Sequence, residues 1–361
     1  MLQTNRLGTL YDKRNNSFDD LRFIFAVMVL YVHSYALLYG ESVMGTDPLT
    51  VFTHFQISPG TLAVYGFFVL SGFFMIQSLE SNPSLIVYAK NRIYRIIPAF
   101  WLSLFLASFI LVPLISKEAD IFSLHAGSSL YFFFHSAIFH INGAAWTIQG
   151  AFPNNPLIDN INGSMWTLKY EVLLYVILPI LYFIVHHNRK LVLYGTFLLG
   201  ILAVAYILKN FMLFSVFNPD EYSKLVLLSS FFFYGVMLYL YRESIIVSKR
   251  LMSIGSLALI FAGLFGNLPL LILFIFPYIL VSFGSIVKTS LFSKTGDYSY
   301  GMYIYAFPVQ QTLVHFFKSD LNASSLFFMS FLITLLMSIV SWHLLEKKVL
   351  LLKKRKQPTH L

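Results

Sequence analysis

Residues 18–38 read FDDLRFIFAVMVLYVHSYALL, and this stretch decides the fold class. After its opening aspartates the run is almost wholly apolar, and about 20 such residues cross a bilayer as one helix. It also contains His33, an ionisable side chain that is costly at membrane depth and therefore marks a candidate functional site. The alternative is a neutral histidine that hydrogen-bonds to a neighbouring helix. The stretch predicts a transmembrane helix that carries either a chemical group or a packed histidine.

The rest of the chain repeats this apolar character. Of its 361 residues 57% are hydrophobic and 11% are charged, whereas soluble domains carry about 25% charged residues. The sequence predicts one all-α, polytopic membrane domain over residues 1–361, a single bundle of about ten helices. A short cytoplasmic segment (1–17) precedes it, and a basic cytoplasmic tail (347–361) ends it. The predicted spans lie near 18–38, 58–79, 96–115, 166–185, 191–208, 225–241, 251–266, 268–287, 298–317 and 325–345.

The net charge of +9 raises the question of a nucleic-acid partner. If the N-terminus is cytoplasmic, 20 of the 25 basic residues fall on inner segments, which is the bias that orients membrane proteins. The charge therefore predicts both termini on the cytoplasmic side and no nucleic-acid partner. The basic tail is typical of an anchor to membrane lipids.

Several kinds of chemistry are disfavoured by what the sequence lacks. The chain has no cysteine, which excludes disulfides and thiolate nucleophiles. It contains no P-loop, dinucleotide-binding fingerprint, HExxH or GxSxG motif. The histidines outside the first helix show no metal-ligand spacing. We therefore expect no metal and no bound cofactor.

We also expect the first helix to remain as a membrane span. Its polar leading segment and long apolar run do not fit a cleavable signal peptide.

The first helix places charged side chains in register with His33. Arg22 lies eleven positions before His33, close to three helical turns, so both share one face. Asp19 falls on nearly the same stripe. Arg22 would lie at the cytoplasmic mouth and His33 in the outer half. Asp19 and Arg22 could equally be interfacial anchors.

The fourth helix brings a carboxylate to a similar depth. Glu171 lies about five residues from the outer end of its helix, as His33 does from the end of its own. A carboxylate can orient an imidazole and stabilise the imidazolium formed on proton uptake. Alternatively, Glu171 pairs with Lys169 or is a buried hydrogen-bonding residue.

A cationic patch precedes the third span. Arg92 and Arg95 lie three residues apart in a predicted loop and share one face if that segment is helical. With Lys90 they could anchor the chain at the inner surface or bind a phosphate-rich cytosolic ligand. In the second span Gly66, Ser71 and Gly72 favour close helix packing.

Six motifs in order resemble those of the acyltransferase family 3 membrane proteins, bacterial enzymes that acylate, most often acetylate, carbohydrates. They are DDLRFIFAVMVLYVH (19–33), FFVLSGF (67–73), RIYRIIPAFW (92–101), NGSMWTLKYE (162–171), GDYSYGMYIYAFPV (296–309) and SWHLLEKK (341–348). The family's basic residue eleven positions before a first-helix histidine fits Arg22 and His33. Its paired-arginine motif fits Arg92 and Arg95, and its acidic fourth-helix residue fits Glu171.

Other positions match or depart from the family pattern. Trp166 and Tyr303 lie in matched motifs and are candidates for the substrate pocket or for structural contacts, as are Asp19 and Ser71. The Tyr305-Ala306 pair stands where the family usually has tryptophan or histidine. His343 stands where it usually has arginine.

The resemblance implies an acyl transfer in the bacterial inner membrane. The donor would be acetyl-CoA or another acyl-CoA, held by Arg22, Arg92 and Arg95. His33, helped by Glu171, would act as general base on a hydroxyl of O-antigen, capsule, exopolysaccharide or a lipid-linked glycan, by direct transfer or through an acyl-histidine relay. The alternatives are a transporter or flippase that uses the same side chains as a relay, and the other large superfamily of membrane O-acyltransferases.

Overall fold

The structure, a computed structural model, describes residues 5–40, 45–139, 146–185, 188–208, 219–288 and 291–355. It is 77% helical, and in these ranges the only β-pairing consists of two isolated bridges. The predicted all-α class is confirmed.

Ten long helices lie in the described ranges, one at each predicted span. They are α1 Phe18–Tyr39, α2 Pro59–Ser81, α3 Leu85–Ile115, α4 Leu168–Val185, α5 Arg189–Ile207, α6 Pro219–Leu240, α7 Lys249–Phe265, α8 Leu268–Ile286, α9 Ser299–Phe317 and α10 Ala323–Ser341. Eight of them are long and apolar enough to cross a membrane. The exceptions are α7, which has 17 residues, and α9, whose run is interrupted by polar side chains. The polytopic membrane character is thus confirmed.

The third helix begins earlier than predicted. It starts at Leu85, so Arg92 and Arg95 lie on α3 itself and the predicted loop around them is wrong. Its first turns mix basic and apolar residues, and hydropathy alone therefore misses them. A π-helical segment, Leu106–Leu111, interrupts the helix. The last helix also continues into the predicted tail, through a π-helical turn (Trp342–Glu346) and a helix Lys347–Arg355.

A tight hairpin joins α7 to α8. Gly266 has φ 112° and Asn267 φ 67°, a left-handed conformation that glycine and asparagine adopt most readily. The Gln56 side chain binds both helix ends. Its Nε2 donates to the Gly263 carbonyl at 2.9 Å, and its Oε1 accepts from the Leu268 amide at 2.9 Å.

The helices form two compact units. Unit one contains α1 up to Phe25, α2, α4 from Tyr170, and α5 to α8. Unit two contains α1 from Ala26, α3, the segment that leads into α4, α9 and α10.

In unit one α2 and α6 pack backbone to backbone. A Cβ at Gly72 would overlap the carbonyl oxygen of Phe232, and a Cβ at Gly235 would overlap that of Val69. Gly66 similarly leaves room for the Phe25 ring. The packing role predicted for the glycines of the second span is confirmed.

In unit two α9 is the most enclosed helix, with most of its residues buried. On its outer half Leu313 and Val314 form a core with Leu37 and Leu38 of α1 and Leu326 of α10.

Proline at position 308 leaves one carbonyl of α9 without its helical donor. That carbonyl belongs to Ile304, and the Asn162 side-chain amide donates to it at 2.9 Å. A side chain from the segment before α4 therefore replaces the missing backbone hydrogen bond, which stabilises a proline at membrane depth.

Candidate active site

His33 lies on α1 within unit two, and α9 fixes its ring. The imidazole meets Phe307 edge to face, with ring centres 5.2 Å apart and an interplanar angle of 81°. The residue is half-buried. Its Nδ1 is shut off from solvent and has no hydrogen-bond partner in the described part of the chain. The ring is thus held by apolar contact, with one buried nitrogen unsatisfied.

Arg95 on α3 is enclosed by acidic and aromatic side chains of unit two. Its Nη1 donates to Glu346 Oε2 at 3.2 Å, and its Nη2 pairs with the Asp297 carboxylate. The guanidinium also lies 5.5 Å from the ring centre of Trp342 and 5.7 Å from that of Tyr300. We call Arg95, Asp297 and Glu346 the Arg95 cluster. Because two carboxylates compensate its charge, a donor phosphate would compete with them for this arginine.

The π-helical turn of the last helix supports Glu346. Ser341 Oγ donates to Glu346 Oε1 at 3.1 Å, and Tyr305 Oη donates to Ser341 Oγ at 3.1 Å. Tyr305 belongs to a pair that departs from the family pattern, and His343 is the other departure. His343 Nε2 lies 3.3 Å from Tyr298 Oη. Both departures are accommodated by hydrogen bonds within unit two.

Sequence reasoning missed the two acidic partners of Arg95. Asp297 and Glu346 are distant in sequence from each other and from α3, and their pairing depends on helix packing. A signal was present, because each lies in one of the six motifs. Arg92, another of the three predicted donor ligands, lies one turn before Arg95 and is half-buried.

Tyr303 and Trp166 lie where the segment before α4 meets α9. Tyr303 Oη donates to the Ser164 carbonyl at 2.7 Å and lies 2.6 Å from Thr167 Oγ1. Trp166 is half-buried in the 3-10 turn Gly163–Thr167. The Tyr303 hydroxyl is thus hydrogen-bonded within the protein, and both predicted roles of this residue stay predictions.

The helix α9 sets the distance between the Arg95 cluster and His33. Tyr300 packs near Arg95, and Phe307 packs against His33. These two contacts are seven residues apart, about 10 Å along a helix axis. In unit two the Arg95 guanidinium and the His33 imidazole therefore contact the same helix, α9, at two points along its length.

The remaining predicted site residues lie in unit one. Arg22 and Asp19 pair at 3.5 Å, and the Arg22 guanidinium lies 4.7 Å from the Phe74 ring centre. The predicted stripe on α1 is therefore a local ion pair in which Arg22 also stacks on an aromatic ring.

Glu171 and Ser71 also belong to unit one. Glu171 Oε1 accepts from Ser71 Oγ at 3.1 Å and from the Tyr175 hydroxyl. Tyr175 was missed, although its position one turn after Glu171 was visible. Glu171 is thus a hydrogen-bonding residue in its own unit, and its predicted support of His33 stays a prediction.

No cluster of three or more histidine, cysteine, aspartate or glutamate side chains suited to a metal occurs in the described ranges.

Comparison with known proteins assigns the family. The family model described as "Acyltransferase domain" matches residues 15–343. The chain is 28% identical over 353 residues to a protein of Shigella phage Sf6 named O-acetyl transferase. The aligned region covers 93% of this chain and 96% of that protein. No solved structure matches the chain. The motif order, the helical membrane fold and the family match agree, and the chain therefore belongs to acyltransferase family 3 and is an acyltransferase.

Proposed function

We propose that this acyltransferase moves an acetyl group from acetyl-CoA to a hydroxyl of a cell-surface or exported carbohydrate. The acceptor class comprises O-antigen, capsule, exopolysaccharide and their lipid-linked intermediates. Two facts support the acetyl donor and the oxygen acceptor: the family match, and the phage relative that is named an O-acetyl transferase. The single observation that carries the mechanism is the half-buried His33 imidazole set against Phe307 in a membrane helix.

His33 acts as the general base. Since its Nδ1 is buried, Nε2 is the nitrogen that meets substrate and takes the proton of the acceptor hydroxyl. The hydroxyl oxygen attacks the thioester carbonyl, a carbon–oxygen bond forms, and the carbon–sulfur bond breaks. The proton then passes from Nε2 to the leaving sulfur, which releases the CoA thiol and restores the neutral imidazole. Direct transfer of this kind needs no acyl-enzyme.

The donor enters from the cytoplasmic side and is held by basic residues. Arg92 binds the CoA phosphates, since guanidinium forms bidentate contacts with phosphate. The distribution of basic residues along the sequence puts Arg22 on the cytoplasmic side as well, as a further candidate ligand of the donor. Arg95, already paired with Glu346 and Asp297, anchors the inner end of α9. The acyl-pantetheine arm extends from there toward His33, along the length that α9 spans.

The proposed location is the bacterial inner membrane, with both termini cytoplasmic. The distribution of basic residues supports this orientation. In the proposed orientation the inner end of α9 is on the side of the donor, and His33 is toward the side of the exported glycan.

The test uses membranes that contain the protein, radiolabelled acetyl-CoA and a polymeric or lipid-linked glycan. The wild-type protein labels the glycan, and His33→Ala does not, at equal protein level in the membrane. The matched control is His125→Ala, which removes an exposed histidine of the loop between α3 and α4 and should label normally. Label retained by His33→Ala would exclude a base role for His33. Absence of glycan label with the wild-type protein would contradict the proposed function.

A further inference from the structure

Gln310 is a fully buried amide near the middle of α9, with 0% of its surface exposed. Its Nε2 donates to the Leu30 carbonyl at 3.0 Å and to Ser34 Oγ at 2.7 Å. A backbone carbonyl can only accept, and this contact therefore fixes which end of the amide is nitrogen. The other end, Oε1, is buried and has no partner in the described part of the chain.

The same helix interface holds a second unsatisfied atom. His33 Nδ1 is buried and without a partner in the described ranges. The two groups lie on facing turns of α1 and α9. Gln310 binds Ser34, the neighbour of His33, and Phe307, one turn before Gln310, packs against the His33 ring. Buried polar groups of folded proteins are nearly always hydrogen-bonded. The two unsatisfied atoms at this interface are therefore candidates for hydrogen bonding to each other.

The chemistry of the two atoms is complementary. If Nε2 of His33 takes the proton of the acceptor, Nδ1 must carry hydrogen, because a neutral imidazole has one donor and one acceptor nitrogen. A buried Nδ1–H needs an acceptor, and the amide oxygen of Gln310 only accepts. The hydrogen bond at one ring nitrogen sets the tautomer and leaves the other nitrogen free as the base.

We propose that Gln310 is the positioning residue for His33, with Gln310 Oε1 accepting the hydrogen bond of His33 Nδ1–H through one bridging water. A bridging water can join two buried polar groups that lie beyond direct hydrogen-bond distance. The amide then fixes Nε2 as the base and stabilises the imidazolium while it holds the acceptor proton. A neutral partner does this at membrane depth without burying a further charge. This inference rests on the proposed function, because it assigns His33 the base role.

The test compares variants that separate the two ends of the amide. Gln310→Met matches the side chain in length and removes both ends, whereas Ser34→Ala removes a partner of Nε2 and leaves Oε1 in place. Gln310→Glu keeps an acceptor at the Oε1 position. Glycan acylation is measured as kcat and as KM for acetyl-CoA and for the acceptor, with the membrane level of each variant as reference.

We expect Gln310→Met to lower kcat about 10- to 100-fold, the size of loss seen when the hydrogen-bond partner of a metal-bound histidine is removed, with both KM values unchanged. Ser34→Ala should keep the wild-type kcat, and Gln310→Glu should retain clearly more activity than Gln310→Met. Equal kcat in Gln310→Met and Ser34→Ala would overturn the proposal, since only the helix contact would then matter. If Gln310→Met does not accumulate, a Gln310→Glu variant as inactive as His33→Ala would overturn it too. The Gln310 variants test this proposal only if the wild-type protein acylates the glycan and His33→Ala does not. Failure of the proposed function is therefore distinguished from failure of the Gln310 proposal.

Discussion

Arg95 on α3 donates to the carboxylate of Glu346, 3.2 Å away, and that carboxylate is only 2% exposed. A buried carboxylate next to a membrane boundary is tolerated because this arginine compensates its charge. The pairing ties the third helix to the π-helical turn of the last one. Arg95 therefore has a structural role, pairing with Glu346, in addition to any contact with the donor.

Arg95→Met should destabilise the protein by about 3 kcal/mol, since removing one partner leaves an uncompensated buried charge. The measurement is the apparent melting temperature in detergent. Lys348→Met is the control, because it removes an exposed basic residue from the helix that follows the π-helical turn. Equal melting temperatures for the two variants would show that the Arg95 cluster does not stabilise the fold.

Arg92→Gln should raise KM for acetyl-CoA about tenfold or more, the loss expected for a hydrogen bond to a charged phosphate. KM for the glycan should stay unchanged. Lys249→Gln is the control, because Lys249 is an exposed basic residue at the start of α7 and belongs to no predicted donor site. Steady-state kinetics with each substrate varied in turn decides the matter. A donor KM unaffected by Arg92→Gln would contradict the assignment.

Gly72→Ala should destabilise unit one by about 1–3 kcal/mol, since the added methyl group forces α2 away from the backbone of α6. The neighbouring atom is the Phe232 carbonyl oxygen, which cannot yield as a flexible side chain would. Gly195→Ala on α5 is the matched control, because a Cβ there meets nothing within 4 Å and alanine favours the helix. The apparent melting temperature in detergent should fall for Gly72→Ala only. A fall of equal size in both variants would mean that the close approach of α2 and α6 does not cause the destabilisation.

The proposed orientation can be tested by single-cysteine labelling, because the natural chain has no cysteine to remove. Asp320→Cys lies between α9 and α10, and Lys249→Cys lies at the start of α7; both positions are exposed. A membrane-impermeant maleimide should label Asp320→Cys from outside the inner membrane. It should label Lys249→Cys only after that membrane is opened. The reverse pattern would place the termini on the outer side.

The fold could be predicted because hydropathy reports which segments a bilayer can accept. The prediction from hydropathy missed the start of α3 at Leu85, because the first turns of this helix contain basic residues. Only the amphipathic pattern of these turns, and not their mean hydropathy, indicates a helix. The hairpin at Gly266 was predictable because left-handed backbone leaves a local signature in residue type. Hydropathy also set the predicted boundary of the tail, whereas the helix runs on to Arg355.

The site was predicted only in part, for a different reason. His33 stands out because ionisable groups are rare and costly within membrane helices. Arg95 stands out as part of a basic cluster in one of the six motifs. Their surroundings do not stand out, because a contact such as that of Gln310 with Ser34 depends on how two distant helices pack. Asn162 shows the same limit: nothing local reveals that its amide satisfies the carbonyl freed by Pro308.

The segment of α9 between Tyr300 and Phe307 fixes the spacing of its two contacts through its number of residues. One residue inserted there would turn everything beyond it by about 100°. Phe307 would then leave the His33 ring and Gln310 would leave α1, while Arg95 kept its partners. Side chains along this segment can be exchanged one at a time, but the number of residues in it is fixed by geometry. An insertion scan through α9 would therefore separate a protein that still folds around Arg95 from one that still reacts at His33.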